Sequence, residues 1–93
     1  MIFEWNEEKA KKNIEKHGVS FEEAVTVFED YNALFRDDPD HSDDEDRFIL
    51  MGLSEKLNLL VVCHCVRKED VIRIISARKA TKREKSQYEE RRG

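Results

Sequence analysis

Apolar positions along this chain fall into separate blocks, and their spacing changes from one block to the next. Ile2-Phe3-Glu4-Trp5 alternates and predicts a short edge strand. Asn6 stands where a helix cap belongs. Glu7 and Glu8 follow in the first turn, Lys16 and His17 fall in the last, and Gly18 supplies the stop, so a helix is expected through about His17. Ser20-Phe21-Glu22-Glu23 has the form of a capping box. It opens a second helix to about Asp30, with Phe21, Ala24, Val25, Val27 and Phe28 available for burial. Ala33-Leu34-Phe35 reads as a strand, Asp37–Asp46 as an acidic loop, and Arg47–Leu53, Leu57–Val66 and Val71–Ala77 as three further strands. A second capping box, Thr81-Lys82-Arg83-Glu84, begins a terminal helix that runs to about Arg91. This order predicts an α+β fold over residues 1–93 as a single domain: two N-terminal helices, an antiparallel meander of three or four strands, and a C-terminal helix.

The meander carries a geometric expectation. If Arg67–Asp70 is one turn, so that Val66 faces Val71, His64 lies opposite Arg73. If Ser54–Leu57 is the preceding turn, Leu53 faces Asn58 and Arg47 also lies opposite His64. Arg47, His64 and Arg73 then form one row on one face, and a slip of a single residue at either turn breaks it. A half-buried histidine with no role in chemistry is the plainer reading of His64.

Charge sharpens the picture. The net value of −4 hides a split. Residues 1–46 hold five Lys and Arg against fifteen Asp and Glu, a balance of −10, whereas residues 47–93 hold twelve against six, a balance of +6. An acidic whole argues against a non-specific nucleic-acid coat, while the basic half permits a local phosphate site. No apolar run is long enough to span a bilayer, and the first residues lack the basic region and cleavage pattern of a secretory signal. Cys63 and Cys65, two apart in a strand, point the same way and are poorly placed to bond to each other. Free thiols suit a reducing cytoplasm.

Few chemical motifs survive inspection. The acidic loop lacks the glycine and the terminal glutamate of a calcium loop. Cys63-His64-Cys65 alternates across a strand and cannot converge on zinc. No phosphate-binding glycine loop and no dinucleotide fingerprint is present, so neither metal nor cofactor is expected. What remains is Arg73 within a strand, Arg78 at its exit, and Tyr88 on the basic helix beyond, with His64 on the neighbouring strand. RNA cleavage by its own 2′-hydroxyl needs such types: guanidinium groups for the phosphoryl charge, and a histidine or tyrosine to move protons. Composition leaves this as one of several readings. A module that holds a DNA-binding partner without catalysis, or a binder of nucleic acid that does not cut, also fits.

Three blocks together resemble the BrnT family of toxins from type II toxin–antitoxin systems. They are Phe3-Glu4-Trp5-Asn6 with Lys9-Ala10 and Asn13; Lys16-His17-Gly18-Val19-Ser20-Phe21-Glu22-Glu23-Ala24; and Arg73-Ile74-Ile75-Ser76-Ala77-Arg78-Lys79-Ala80 with Glu84 and Tyr88-Glu89. Asp43-Asp44-Glu45-Asp46-Arg47-Phe48 adds to the likeness, which extends over about nine tenths of the chain. The resemblance implies a RelE-like fold and a metal-independent endoribonuclease that arrests translation. It also implies a BrnA-type antitoxin with a ribbon-helix-helix part, DNA being reached only through that complex. The resemblance points to Arg47, Arg73, Arg78, Lys82 and Arg83 as the basic residues of the site, and Tyr88 lies in a matching position, whereas His64 belongs to no matching block. Arg73 and Arg78 are then expected to bind the scissile phosphate, Arg47, Lys82 and Arg83 to contact flanking RNA, and His64, or failing it Tyr88, to handle protons. His17 lies in a matching block, where a helix C-terminus explains it equally well.

Overall fold

A computed structural model describes residues 1–38 and 46–92. The acidic-loop reading therefore lies outside the described residues for Pro39–Glu45. Along the chain come β1 (Ile2–Glu4), α1 (Glu7–His17), α2 (Phe21–Thr26) running into a 3-10 turn (Val27–Glu29), β2 (Leu34–Asp37), β3 (Arg47–Leu53), β4 (Leu59–Lys68), β5 (Val71–Lys79) and α3 (Lys82–Arg92). The class is α+β, as expected. The sheet has five strands in the order β1-β5-β4-β3-β2 and is mixed rather than an antiparallel meander. β2 to β5 pair antiparallel, but β1 joins the far edge parallel to β5, setting Ile2 beside Val71 and Glu4 beside Arg73.

The helix ends follow their local signals. Asn6 accepts from the Lys9 amide at 3.1 Å, and Gly18 closes α1 at φ 68°, a left-handed conformation suited to glycine. Ser20 Oγ accepts from the Glu23 amide at 3.0 Å, but the reciprocal half of that expected box is absent, because Glu23 turns inward. Its carboxylate accepts from Ser54 Oγ at 2.6 Å and Asn58 Nδ2 at 2.9 Å, which ties α2 to the β3–β4 hairpin. The second helix is also shorter than expected: it ends at Thr26 and tightens into the 3-10 turn.

Burial explains the layering. Phe21, Ala24 and Val27 from the α2 segment, with Ala10 and Val19, pack on Leu60, Val62, Ile72, Ile74 and Ala77 of the sheet. Each large side chain buried there contributes roughly 1.5–3 kcal/mol. Mostly charged, α1 buries only Ala10 and Asn13. Asn13 makes up for that poverty. Its amide donates to the carbonyls of Val19 at 2.9 Å and Ala77 at 2.8 Å, and its oxygen accepts from the Ala77 amide at 3.1 Å. β1 pairs only as far as Arg73, so Asn13 takes over the β5 backbone where that strand stops. α3 packs on the opposite face, with Tyr88 against Met51 and Val61.

Both turns of the sheet differ from expectation, and each leaves the strands beyond it displaced in register. The β3–β4 loop closes with Ser54 N donating to Asn58 O at 2.9 Å, and Leu57 takes the left-handed position at φ 64°. Leu53 therefore faces Leu59. The β4–β5 turn shrinks to two residues, so that Lys68 faces Val71, with irregularities between Val66 and Lys68 and between Cys63 and His64.

Candidate functional site

The slip decides which side chains share a face. Arg47 and Arg73 do lie in one cross-strand row, but Cys65 stands between them. His64 is opposite Phe48 and Ile74 instead, on the side covered by α1 and α2. The expected Arg47–His64–Arg73 row is thus not formed. His64 is 3% exposed, with its ring 4.9 Å from Phe28 in an edge-on contact, 6.0 Å from Phe48 and 6.3 Å from Phe35. Burial pushes its pKa down, only partly offset by the Val62 carbonyl facing Nδ1 at 3.4 Å. The ring belongs to the aromatic core.

Cross-strand partners on the other face form three rows. Arg73, Cys65 and Arg47 make the first, Ser76, Cys63, Ile49 and Arg36 the second, and Arg78, Val61, Met51 and Leu34 the third. Four arginines from β2, β3 and β5 therefore lie on the face opposite α1 and α2. Arg36, in β2, was missed from sequence. The alternation Leu34-Phe35-Arg36 carried the signal, since Arg36 follows the buried-side pattern of Leu34 by two positions.

Each of these arginines is held differently. Arg73 donates to Glu4 Oε2 at 2.9 Å, an ion pair between the edge strand β1 and its neighbour β5. Arg47 has its Nε buried, without a hydrogen-bond partner among the described residues. Arg78 is clamped: Nη1 donates to Glu84 Oε1 at 2.8 Å and Nη2 to Glu84 Oε2 at 2.9 Å. Glu84 is itself fixed by the complete capping box of α3, accepting from Thr81 N at 2.9 Å and donating its own amide to Thr81 Oγ1 at 3.2 Å. The Arg78 hydrogen bonds, with help from Thr81, hold the Glu84 carboxyl down at about 2 despite burial. The same contact raises the pKa of Arg78. Sequence reading found both residues but not their pairing, which joins a strand exit to a helix cap six residues on.

Arg73 and Arg78 are five residues apart on one strand, about 15 Å along the chain. Each is held by a different carboxylate, Glu4 for Arg73 and Glu84 for Arg78. Lys82 and Arg83 are exposed in the first turn of α3. Tyr88 is 3% exposed, and its hydroxyl donates to Asp30 Oδ2 at 2.6 Å. The same carboxylate oxygen accepts from Leu53 N at 2.8 Å. Tyr88 thus fastens α3 to the end of β3, and its hydroxyl is engaged there. Burial, together with Asp38 as hydrogen-bond acceptor and nearby charge, pushes the Cys63 thiol up to about 11, so it stays protonated and unreactive at neutral pH. Among the described residues no three His, Cys, Asp or Glu side chains gather as a metal site, and no helix is long and apolar enough to cross a membrane.

A small mixed sheet, backed by α1 and α2 on one face and carrying four arginines on the other, defines the class of protein. Comparison gives that class a family. The model of the ribonuclease toxin BrnT of type II toxin–antitoxin systems matches residues 5–84, and this chain belongs to that family. No curated protein matches. Among solved structures, the 1.1 Å crystal structure of the Brucella abortus ribonuclease toxin BrnT is similar in fold, with a TM-score of 0.65. It is 24% identical and covers 88% of this chain and 100% of its own.

Proposed function

We propose that this chain is an active, metal-independent endoribonuclease that cleaves RNA at the arginine face and so arrests translation. The observation that carries the reading is the rigid Arg78–Glu84 clamp beside Arg36, Arg47 and Arg73 on one face. Arg78, its planar fork already oriented, meets the scissile phosphate and neutralises the charge that grows on its oxygens. Arg73 and Arg47 hold the adjoining backbone, and Lys82 and Arg83 meet RNA further along. The buried His64 and the engaged Tyr88 hydroxyl play no part in proton transfer. A BrnA-type antitoxin with a ribbon-helix-helix part masks this face, and DNA is contacted only through that complex.

Incubation of purified chain with a structured RNA in excess chelator tests the proposal. Cleavage by the parent is expected, with a drop of at least about a hundredfold in the Arg78→Ala variant and a smaller drop in Arg73→Ala, both remaining folded. Full activity in a folded Arg73→Ala/Arg78→Ala protein would remove the arginines from the site. Intact RNA after treatment with folded parent would remove the catalytic reading and favour a module that only holds its partner.

A further inference from the structure

Between α3 and the third row of the arginine face lies a cavity of about 230 Å³. Ile49, Met51 and Val61 line it from the sheet, Glu84 and Gln87 wall it from α3, and Arg36 stands at its edge. None of these residues is needed to hold the phosphate-directed arginine except Glu84, and that exception is informative. The carboxylate that clamps Arg78 is also a wall of the cavity. Val61, on its floor, is the cross-strand partner of Arg78. A group entering the cavity therefore meets Glu84, the residue whose carboxylate holds Arg78.

We infer that this cavity receives one nucleobase of the RNA substrate, that of a nucleotide adjoining the phosphate at Arg78, and that Gln87 reads its edge. The inference rests on the ribonuclease reading above. A flat heteroaromatic ring gains from an apolar slot of this size, and its polar edge needs a partner at the rim. Both Glu84 oxygens are already taken by Arg78. Gln87 is exposed on α3 and offers both an amide donor and a carbonyl acceptor. Arg36 lines the cavity, and Arg78 is bonded to Glu84 of its wall, so both supply positive charge for the sugar-phosphate that adjoins the base. An aliphatic side chain from a protein partner would fill the slot but would use neither the amide nor the flanking guanidinium groups.

The chain contains only two methionines, Met1 and Met51, and this gives a direct reporter. Met51 is 6% exposed beneath the cavity, while Met1 is 73% exposed at the N-terminus. Carbon-13 methyl spectra are recorded on the parent with four 2′-O-methyl tetranucleotides, one of each base, which bind but cannot be cleaved. The Met51 methyl is expected to shift while Met1 stays, with one base bound about tenfold more tightly than the others. Gln87→Leu, on an exposed helix face, should compress that spread to under about threefold, and Gln87→Trp should plug the cavity and abolish the Met51 shift. Oligonucleotides that bind without moving Met51, no binding at all, or a base preference unchanged in Gln87→Leu would each overturn the inference. So would a Met51 shift produced by the partner protein and by no oligonucleotide. Binding needs no cleavage, so loss of the ribonuclease reading, seen as cleavable RNA left intact, registers separately.

Discussion

Only the neutral imidazole of His64 suits its setting. The ring sits buried among Phe28, Phe35 and Phe48, where a charge is poorly solvated. Its pKa in the folded state is lowered from 6.5, so the unfolded chain binds the proton more readily. The stability this residue contributes is complete above about pH 6.5 and falls as pH drops toward the folded value. Urea midpoints measured from pH 7.5 to 5 should therefore decline toward acid in the parent and flatten in His64→Leu. An equal slope in both would mean that another group titrates there. The same variant should retain RNA cleavage, since the ring is on the side away from the arginines. Lost cleavage in a folded His64→Leu protein would return histidine to the chemistry. Glu84 is set apart by its window. Depressed to about 2 from 4.5, its contribution persists until pH falls below about 4.5.

Among the elements, α1 depends most on a single side chain. Its surface is charged, and Asn13 supplies three hydrogen bonds that bind it to β5 and to the α1–α2 link. Asn13→Ala leaves the Ala77 amide and carbonyl buried without partners and is expected to cost about 3 kcal/mol by urea denaturation. A loss below about 1 kcal/mol would mean that water or a shifted β1 replaces the amide. The helices were legible because their signals are local. Asn6, Gly18, Ser20 and the Thr81–Glu84 box each act within four residues. Strand register was not legible, because it hung on two turns. Leu57 occupies a left-handed position where glycine is the usual occupant, so nothing in the residue type announced the longer loop. The Glu69-Asp70 turn and the irregularity at Val66–Lys68 moved β4 the same way against β5. Arg47 and Arg73 consequently kept their common row, and a cysteine took the place of the histidine.

For the molecule as a whole, the charge split along the sequence is not a split in space. β1, from the acidic half, docks beside β5 of the basic half, and Glu4 pairs with Arg73. Sequence reading could see the two halves but not this joint, since no local pattern specifies a partner 69 residues away. The arginine face should make RNA binding depend on salt. Contacts from Arg36, Arg47, Arg73, Arg78, Lys82 and Arg83 to single-stranded RNA predict a slope of log K against log salt no steeper than about −4. Glu4 and Glu84 already neutralise two of the six, which moves the slope toward about −2.8. Titrations between 50 and 300 mM salt would read it, and a slope near zero would mean that the backbone is not held by these side chains.

The parallel joint also orders events during synthesis. Ile2–Glu4 leave the ribosome well before Val71–Arg73, and they have nowhere to pair until those residues have followed. Arg78 waits longer still, for the turn of α3 that brings Glu84. A truncated or half-made chain therefore exposes an unpaired first strand and loose arginines, without the fixed guanidinium that the proposed chemistry requires. Topology thus completes the arginine face only after nearly all of the domain has been made.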